Sequence, residues 1–122
     1  MKKKLLIVDD SLFVFEEMKL MLADSEFEIV AYAKSAEDAL EKFESAMPDV
    51  VTMDIILPGM DGMDAAEILL QREPKTNIVI VSSLAYDETM ERARKIGAKG
   101  FLFKPFDGKQ LLESLTAVFQ EA

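Results

Sequence analysis

Short apolar runs alternate with longer amphipathic segments along the whole chain. Five runs, at 4–9, 27–32, 49–54, 77–82 and 100–103, have the length of strands. Four of them are continuously apolar rather than alternating, which is typical of strands covered on both faces in a parallel sheet. The pattern therefore indicates repeated strand–helix units.

The segments after the strands predict five helices, because their apolar residues recur at helical spacing. In the first helix these apolar residues are Val14, Met18, Met21 and Leu22. In the second they are Ala36, Ala39, Leu40, Phe43 and Met47, and in the fifth Leu111, Leu112, Leu115, Val118 and Phe119. The third helix is expected from about Met63 to Arg72 and the fourth from about Asp87 to Ile96.

Local signals support these limits. Ser35 with Asp38, and Asp107 with Gln110, resemble capping boxes, and Gly97 suits the left-handed residue that follows a helix.

The predicted fold class is α/β, a (βα)5 doubly wound sandwich around a five-stranded parallel sheet. Right-handed crossovers place the first and fifth helices on one face and the other three on the opposite face.

Composition narrows the class of protein. The length of 122 residues, half of them hydrophobic and 30% charged, indicates one globular domain. The net charge of −9 argues against nucleic acid or an anionic membrane as a direct partner, since no basic patch could release counterions. The apolar stretch after Lys2–Lys4 is too short for a signal or a membrane span, so we expect a cytoplasmic protein.

Polar side chains follow four of the predicted strands. Asp9 and Asp10 close the first strand, Asp54 the third, Ser82 the fourth and Lys104 the fifth. Because ligands of open parallel sheets bind at the carboxyl ends of the strands, these groups are expected to form one site. Three acids, a hydroxyl and an ammonium suit a divalent cation and a phosphoryl group.

The charges of this site favour Mg2+ as its cofactor. Carboxylates as close as Asp9, Asp10 and Asp54 would raise one another's pKa, whereas Mg2+ and the Lys104 ammonium would neutralise them. The chain has neither cysteine nor histidine, so a metal must be held by oxygen. A carboxylate is also a competent nucleophile toward phosphorus. No glycine-rich phosphate loop is present, and a nucleotide cofactor is not expected.

Four motifs in order resemble the response-regulator receiver domain of two-component signalling, the CheY-like family. They are LIVDDS at 6–11, MDIILPGMDG at 53–62, VSS at 81–83 and GAKGFLFKPF at 97–106. The resemblance covers essentially the whole chain, which is expected to be a single receiver domain over 1–122. It implies the flavodoxin-like strand order 2-1-3-4-5.

The resemblance also implies roles for the residues of the site. Asp54 would be the phosphoacceptor, which takes a phosphoryl group from the phosphohistidine of a sensor kinase. Asp10 would bind Mg2+ directly and Asp9 mostly through water, with Asp54 and the backbone carbonyl of Ile56 as further ligands. Lys104 would pair with Asp54 before phosphorylation and with the phosphoryl oxygens after it.

Two further residues would carry the switch. Ser82 would move to hydrogen-bond the phosphoryl group, although strand alternation leaves Ser83 as the alternative. Phe101 would be the aromatic residue that turns inward behind it, and a role in the core alone stays open for this ring. The resemblance implies a cis bond between Lys104 and Pro105.

Apolar residues near the site suggest two more properties. Phe13 and Phe15 lie off the apolar stripe of the first helix, and we expect one of them to contact the phosphodonor. The resemblance implies that Ile56 and Leu84 flank the phosphoryl group; because both are apolar, we predict a dry approach and slow loss of that group.

The predicted function is a Mg2+-dependent phosphoacceptor domain, and the chain is not classed as an enzyme. Its partners would be a sensor histidine kinase or a phosphotransfer protein, and a downstream effector or output domain. The protein would be a monomer or a phosphorylation-dependent homodimer through the face made by the fourth helix, fifth strand and fifth helix. The alternatives are a Mg2+-dependent phosphohydrolase with Asp54 as covalent nucleophile, and a receiver-like binding module that is not phosphorylated.

Overall fold

The computed structural model describes residues 2–84 and 86–120. In this part of the chain five strands alternate with five helices. The strands are β1 (Lys3–Val8), β2 (Phe27–Ala33), β3 (Val50–Asp54), β4 (Asn77–Ser82) and β5 (Gly100–Phe103). The helices are α1 (Leu12–Leu22), α2 (Ala36–Ala46), α3 (Gly62–Arg72), α4 (Asp87–Ile96) and α5 (Gly108–Ala117).

The strands form one parallel sheet in the order β2-β1-β3-β4-β5, which confirms the predicted fold class and strand order. Two hydrophobic cores cover its faces. One lies under α2, α3 and α4 and the other under α1 and α5, so the predicted division of the helices is also confirmed. The continuous apolar runs follow from this architecture, because alternate residues of each strand enter opposite cores.

Side chains begin and end the helices much as the sequence indicates. Asp107 and Gln110 form a reciprocal capping box at α5, and Ser35 accepts the first-turn hydrogen bond of α2 from the Asp38 amide. Gly97 ends α4 with a φ of 102°. The buried stripe predicted for α2 is wrong at its last residue. Met47 lies beyond the helix in a left-handed conformation and is 69% exposed.

Within the described residues, every helix is too short or too polar to cross a lipid bilayer.

Candidate functional site

Three carboxylates meet at the carboxyl end of the sheet, as the sequence predicts. One oxygen each from Asp9, Asp10 and Asp54 lie within 4.8 Å of one another. Asp9 follows β1 and Asp54 ends the neighbouring strand β3, and both are buried, at 2% and 6% exposure. Asp10 is exposed and closes the cluster on the solvent side. A cation could therefore enter this cluster from the solvent side, next to Asp10, and contact the buried oxygens of Asp9 and Asp54 on the other side.

Lys104 comes from β5 to complete the site. Its Nζ donates to Asp9 Oδ2 at 2.8 Å and to Asp54 Oδ2 at 3.2 Å. The residue lies just past the strand, where its amide donates to the Ser82 carbonyl at 2.9 Å and a cis bond joins it to Pro105. The resemblance implied a pair with Asp54; in the structure the ammonium bridges two acids and lies nearer to Asp9.

The site carries more negative than positive charge. Burial raises the pKa of Asp54; the ammonium of Lys104 opposes this effect, and the charges of Asp9 and Asp10 add to it. Burial would lower the pKa of Lys104, but its hydrogen bond to Asp9 and the charges of Asp54 and Asp9 outweigh burial and raise that pKa. One ammonium thus faces three carboxylates, and the all-oxygen donor set fits a hard divalent cation such as Mg2+.

The loop after β1 holds Asp9 in place and starts the next helix. The Ser11 amide donates to Asp9 Oδ1 at 2.9 Å. The Ser11 hydroxyl accepts from the Val14 amide at 3.3 Å and so caps α1. Between these two anchored residues, the carboxylate of Asp10 takes part in no hydrogen bond or ion pair with the described part of the chain. Asp10 is therefore the acid that is free to turn toward a cation.

The loop after β3 is held by two contacts that the sequence analysis missed. The Gly62 amide donates to the Ile55 carbonyl at 2.8 Å, which brings the start of α3 against the backbone of Asp54. Glu37 of α2 accepts from the Met60 amide at 3.3 Å. The Ile56 side chain points outward, at 59% exposure, and no described residue donates to its carbonyl oxygen. That oxygen is available as a cation ligand.

The two serines after β4 differ in environment. Ser82 is 1% exposed and its Oγ accepts from the Leu84 amide at 2.9 Å, whereas Ser83 is exposed. Ser82 is thus the serine on the buried side of this strand end. Phe101 is half-buried against the core under α2–α4, with its ring centroid 4.9 Å from that of Phe103.

The phenylalanines of α1 also differ from each other. Phe13 is 71% exposed. Phe15 is half-buried and stacks on Tyr32 of β2, with ring centroids 3.9 Å apart and planes 8° apart. Of the two, only Phe13 presents a large free apolar surface.

Grooves of the described surface include one beside the acidic site and one far from it. One of about 310 Å³ runs between α1 and the loop after β5, lined by Val14, Glu17, Met18, Met21, Ser83, Lys104, Pro105 and Phe106. It reaches the acidic site through Lys104. A larger groove, of about 800 Å³, involves Asp49, Thr76 and Asn77 at the amino ends of β3 and β4, and lies at the other end of the sheet from the carboxylates.

In open parallel sheets of this order, ligands bind at the carboxyl ends of the strands, which is where the three acids lie. The family model of the response regulator receiver domain matches residues 5–116. The chain belongs to this family, and it is a CheY-like receiver domain of a two-component system.

Relatives of this chain include proteins of similar length and longer proteins. The chemotaxis protein CheY of Listeria monocytogenes is 38% identical over 112 residues, which cover 92% of this chain and 94% of the relative. The transcriptional regulatory protein DegU of Brevibacillus brevis is 35% identical over 98% of this chain but only 51% of its own length. Among solved structures, CheY in the CheX–CheY–BeF3–Mg2+ complex of Borrelia burgdorferi has a TM-score of 0.93 and 28% identity, over 98% of this chain and 90% of that one.

Proposed function

We propose that Asp54 accepts a phosphoryl group from the phosphohistidine of a sensor kinase or phosphotransfer protein, in a reaction that needs Mg2+. The observation that carries this proposal is the position of Asp54. Its buried carboxylate lies in the cluster with Asp9 and Asp10, and its Oδ2 is 3.2 Å from the Lys104 ammonium. The proposal takes residues 1–122 as one receiver domain and keeps the cytoplasm as the compartment.

The residues support an in-line transfer. A Mg2+ held by Asp10, Asp54 and the Ile56 carbonyl, with Asp9 mostly through water, would supply positive charge to the phosphoryl oxygens. An Asp54 oxygen forms the new bond to phosphorus as the phosphorus–nitrogen bond of the donor histidine breaks, and the electron pair of that bond leaves with the ring nitrogen. Lys104 lies close enough to Asp54 to pair with the phosphoryl oxygens that arrive there.

The proposed output begins at Ser82. Its hydroxyl can donate to a phosphoryl oxygen on Asp54, since β3 and β4 are neighbours and Asp54 pairs with Val81. The half-buried ring of Phe101 on β5 would then pack further inward. These movements change the surface of α4, β5 and α5, which would contact an effector, an output domain or a second copy of the chain.

The phosphodonor would dock at the groove between α1 and the loop after β5. Phe13 and Phe15 are the docking residues in this proposal, and the exposed ring of Phe13 is the one free to contact a partner. The CheX–CheY complex of Borrelia burgdorferi supports a protein partner for the receiver, and the DegU relative supports an output domain.

A phosphohydrolase is the competing function, and the residue two places after Asp54 separates the two. Phosphohydrolases that use an aspartate as covalent nucleophile usually carry a general acid there to protonate the leaving oxygen. Ile56 has no such group and points to solvent. We therefore expect no turnover of p-nitrophenyl phosphate with Mg2+, and multiple turnovers would favour the enzyme.

Intact-mass analysis after incubation with acetyl phosphate tests the proposal. We expect a gain of one phosphoryl group with Mg2+ and none with EDTA. The gain should vanish in Asp54→Asn and persist in Asp87→Asn, which changes an exposed acid on α4. Equal phosphorylation of wild type and Asp54→Asn would show that Asp54 is not the acceptor. No gain in any variant would favour the binding-module alternative.

A further inference from the structure

The hydroxyl of Tyr32 is buried and has no hydrogen-bond partner among the described residues. The residue lies on β2, and its ring is fixed by the stack on Phe15. A tyrosine hydroxyl lies on the axis about which the ring flips, so a flip cannot bring it to water. An unpaired buried hydroxyl costs about 1–3 kcal/mol, which calls for an acceptor that the structure does not yet show.

The sheet places Tyr32 next to the acidic cluster. Tyr32 pairs with Ile7 on β1, and Asp9 and Asp10 follow directly after that strand ends at Val8. Burial and then the negative charges of Asp9, Asp10 and Glu16 raise the pKa of the Tyr32 hydroxyl. The charged groups that act on this hydroxyl are thus acids, all of which can accept a hydrogen bond.

Asp10 is the best acceptor of the three. Asp9 already accepts from the Ser11 amide and from Lys104. The Glu16 side chain is 55% exposed and faces Lys19 at 3.8 Å on the surface of α1. Asp10 accepts from no described residue, and it belongs to the cluster that would hold the cation.

We infer that Tyr32 is a positioning residue of the cation site, whose hydroxyl donates to the Asp10 carboxylate when a divalent cation draws that side chain inward. This inference rests on the proposed Mg2+ site. A ligand held by such a hydrogen bond loses less freedom on binding, and loss of a partner of this kind typically weakens metal binding by about 10–100-fold. Asp10 has water as a substitute partner, so we expect the low end of this range.

Tyr32→Phe tests the inference, because it removes the hydroxyl and leaves the ring stacked on Phe15. The dissociation constant of Mn2+, measured from the paramagnetic resonance of free Mn2+, should rise roughly tenfold. The metal-free protein should be as stable to urea as the wild type or more stable, since an unpaired buried group has been removed. A purely structural hydroxyl would change stability and leave Mn2+ affinity unaltered.

Tyr86→Phe is the matched control, since it removes the hydroxyl of a tyrosine that is 64% exposed. Its Mn2+ affinity should equal that of the wild type. The chain has two tyrosines and no tryptophan, so this variant leaves Tyr32 as the only strong fluorophore. Its emission should change as Mg2+ is added.

The outcomes separate the inference from the proposed function. Equal Mn2+ affinity of wild type and Tyr32→Phe would overturn the role of Tyr32 and leave the cation site intact. If the wild type bound no Mn2+ at all, the cation site itself would be wrong and the inference would fall with it.

Discussion

Replacing Gly62 by alanine is expected to displace Asp54 and to destabilise the fold. Gly62 is the first residue of α3, and its position leaves no room for a side chain. A Cβ there would lie 1.8 Å from the carbonyl oxygen of Asp54 and 2.8 Å from its carbonyl carbon. Real contacts of a Cβ essentially never fall below 3.0 Å. The Cβ and the carbonyl oxygen of Asp54 must therefore move apart by at least a further 1.2 Å. The obstacle is backbone, which no change of rotamer can relieve.

The cost follows from what would have to move. Asp54 ends β3, which pairs with β1 on one side and with β4 on the other. Overpacking usually costs 1–3 kcal/mol, and a shift of paired backbone belongs at the upper end, so we expect a loss of about 3 kcal/mol of unfolding free energy. A displacement of about 1 Å at a reacting group can cost 10²-fold in rate, so phosphorylation of the folded variant should slow by roughly this factor.

Urea unfolding followed by circular dichroism measures the loss of unfolding free energy. The rate of mass gain from acetyl phosphate with Mg2+ measures the slower phosphorylation. Gly108→Ala is the matched control, because Gly108 is likewise the first residue of a helix. A Cβ there would meet Met21 at 3.6 Å, an ordinary contact, and should stabilise the protein by about 0.4–1 kcal/mol. A Gly62→Ala protein with wild-type stability and rate would refute the close approach of α3 to Asp54.

Three further outcomes are expected. Lys104→Met should lower the metal-free unfolding free energy by about 3 kcal/mol, because it leaves the buried carboxylates of Asp9 and Asp54 without a counter-ion, and Mg2+ should stabilise this variant more than the wild type in urea melts. The raised pKa of Asp54 means that the folded state without metal binds its proton more tightly than the unfolded state does, so Asp54 lowers stability as pH rises above its usual value of 3.8. In EDTA, Asp54→Asn should therefore be more stable than wild type at neutral pH and lose that advantage as the pH falls through the raised pKa of the folded state toward 3.8; a constant difference would contradict the raised pKa of Asp54. The double substitution Ile56→Asn and Leu84→Glu should speed loss of the phosphoryl group roughly tenfold, as one hydrogen bond of about 1.4 kcal/mol to the attacking water would, whereas an unchanged lifetime would disprove the dry approach.

The sheet was predictable because burial on both faces leaves a mark on the sequence. A continuous apolar run of strand length, such as 78–81, is typical of a strand between two cores, and helical spacing shows which helix faces pack on them. Met47 shows the limit of spacing. Its position continues the helical spacing of the apolar residues of α2. However, Met47 precedes Pro48, whose ring disfavours helical geometry in the residue before it. The proline that ends the helix is therefore visible in the sequence, and its effect outweighs the periodicity of the apolar residues.

The site was predictable only as far as strand ends determine it. Parallel strands bring Asp9 and Asp54 to one edge whatever the details, so their meeting needs no further information. The bridging position of Lys104 depends on the length and path of the loop after β5, and no local pattern specifies it. The close approach of Gly62 and the unpaired hydroxyl of Tyr32 depend on how helices pack on the sheet, which is a property of three-dimensional distances between distant residues.

In the proposed switch, the resting contact of Ser82 would connect chemistry at Asp54 to α4. Its Oγ accepts from the Leu84 amide at 2.9 Å and keeps its own proton for donation. If the hydroxyl shifts toward a phosphoryl oxygen while it keeps the amide hydrogen bond, it draws Leu84 and the start of the β4–α4 segment with it. If it breaks that bond, a half-buried amide is left unpaired, at a cost of about 1–3 kcal/mol. Either way a phosphoryl group on Asp54 would bias the segment before α4 under this proposal, and the bias would be limited to the difference between the contacts of that group in the two states.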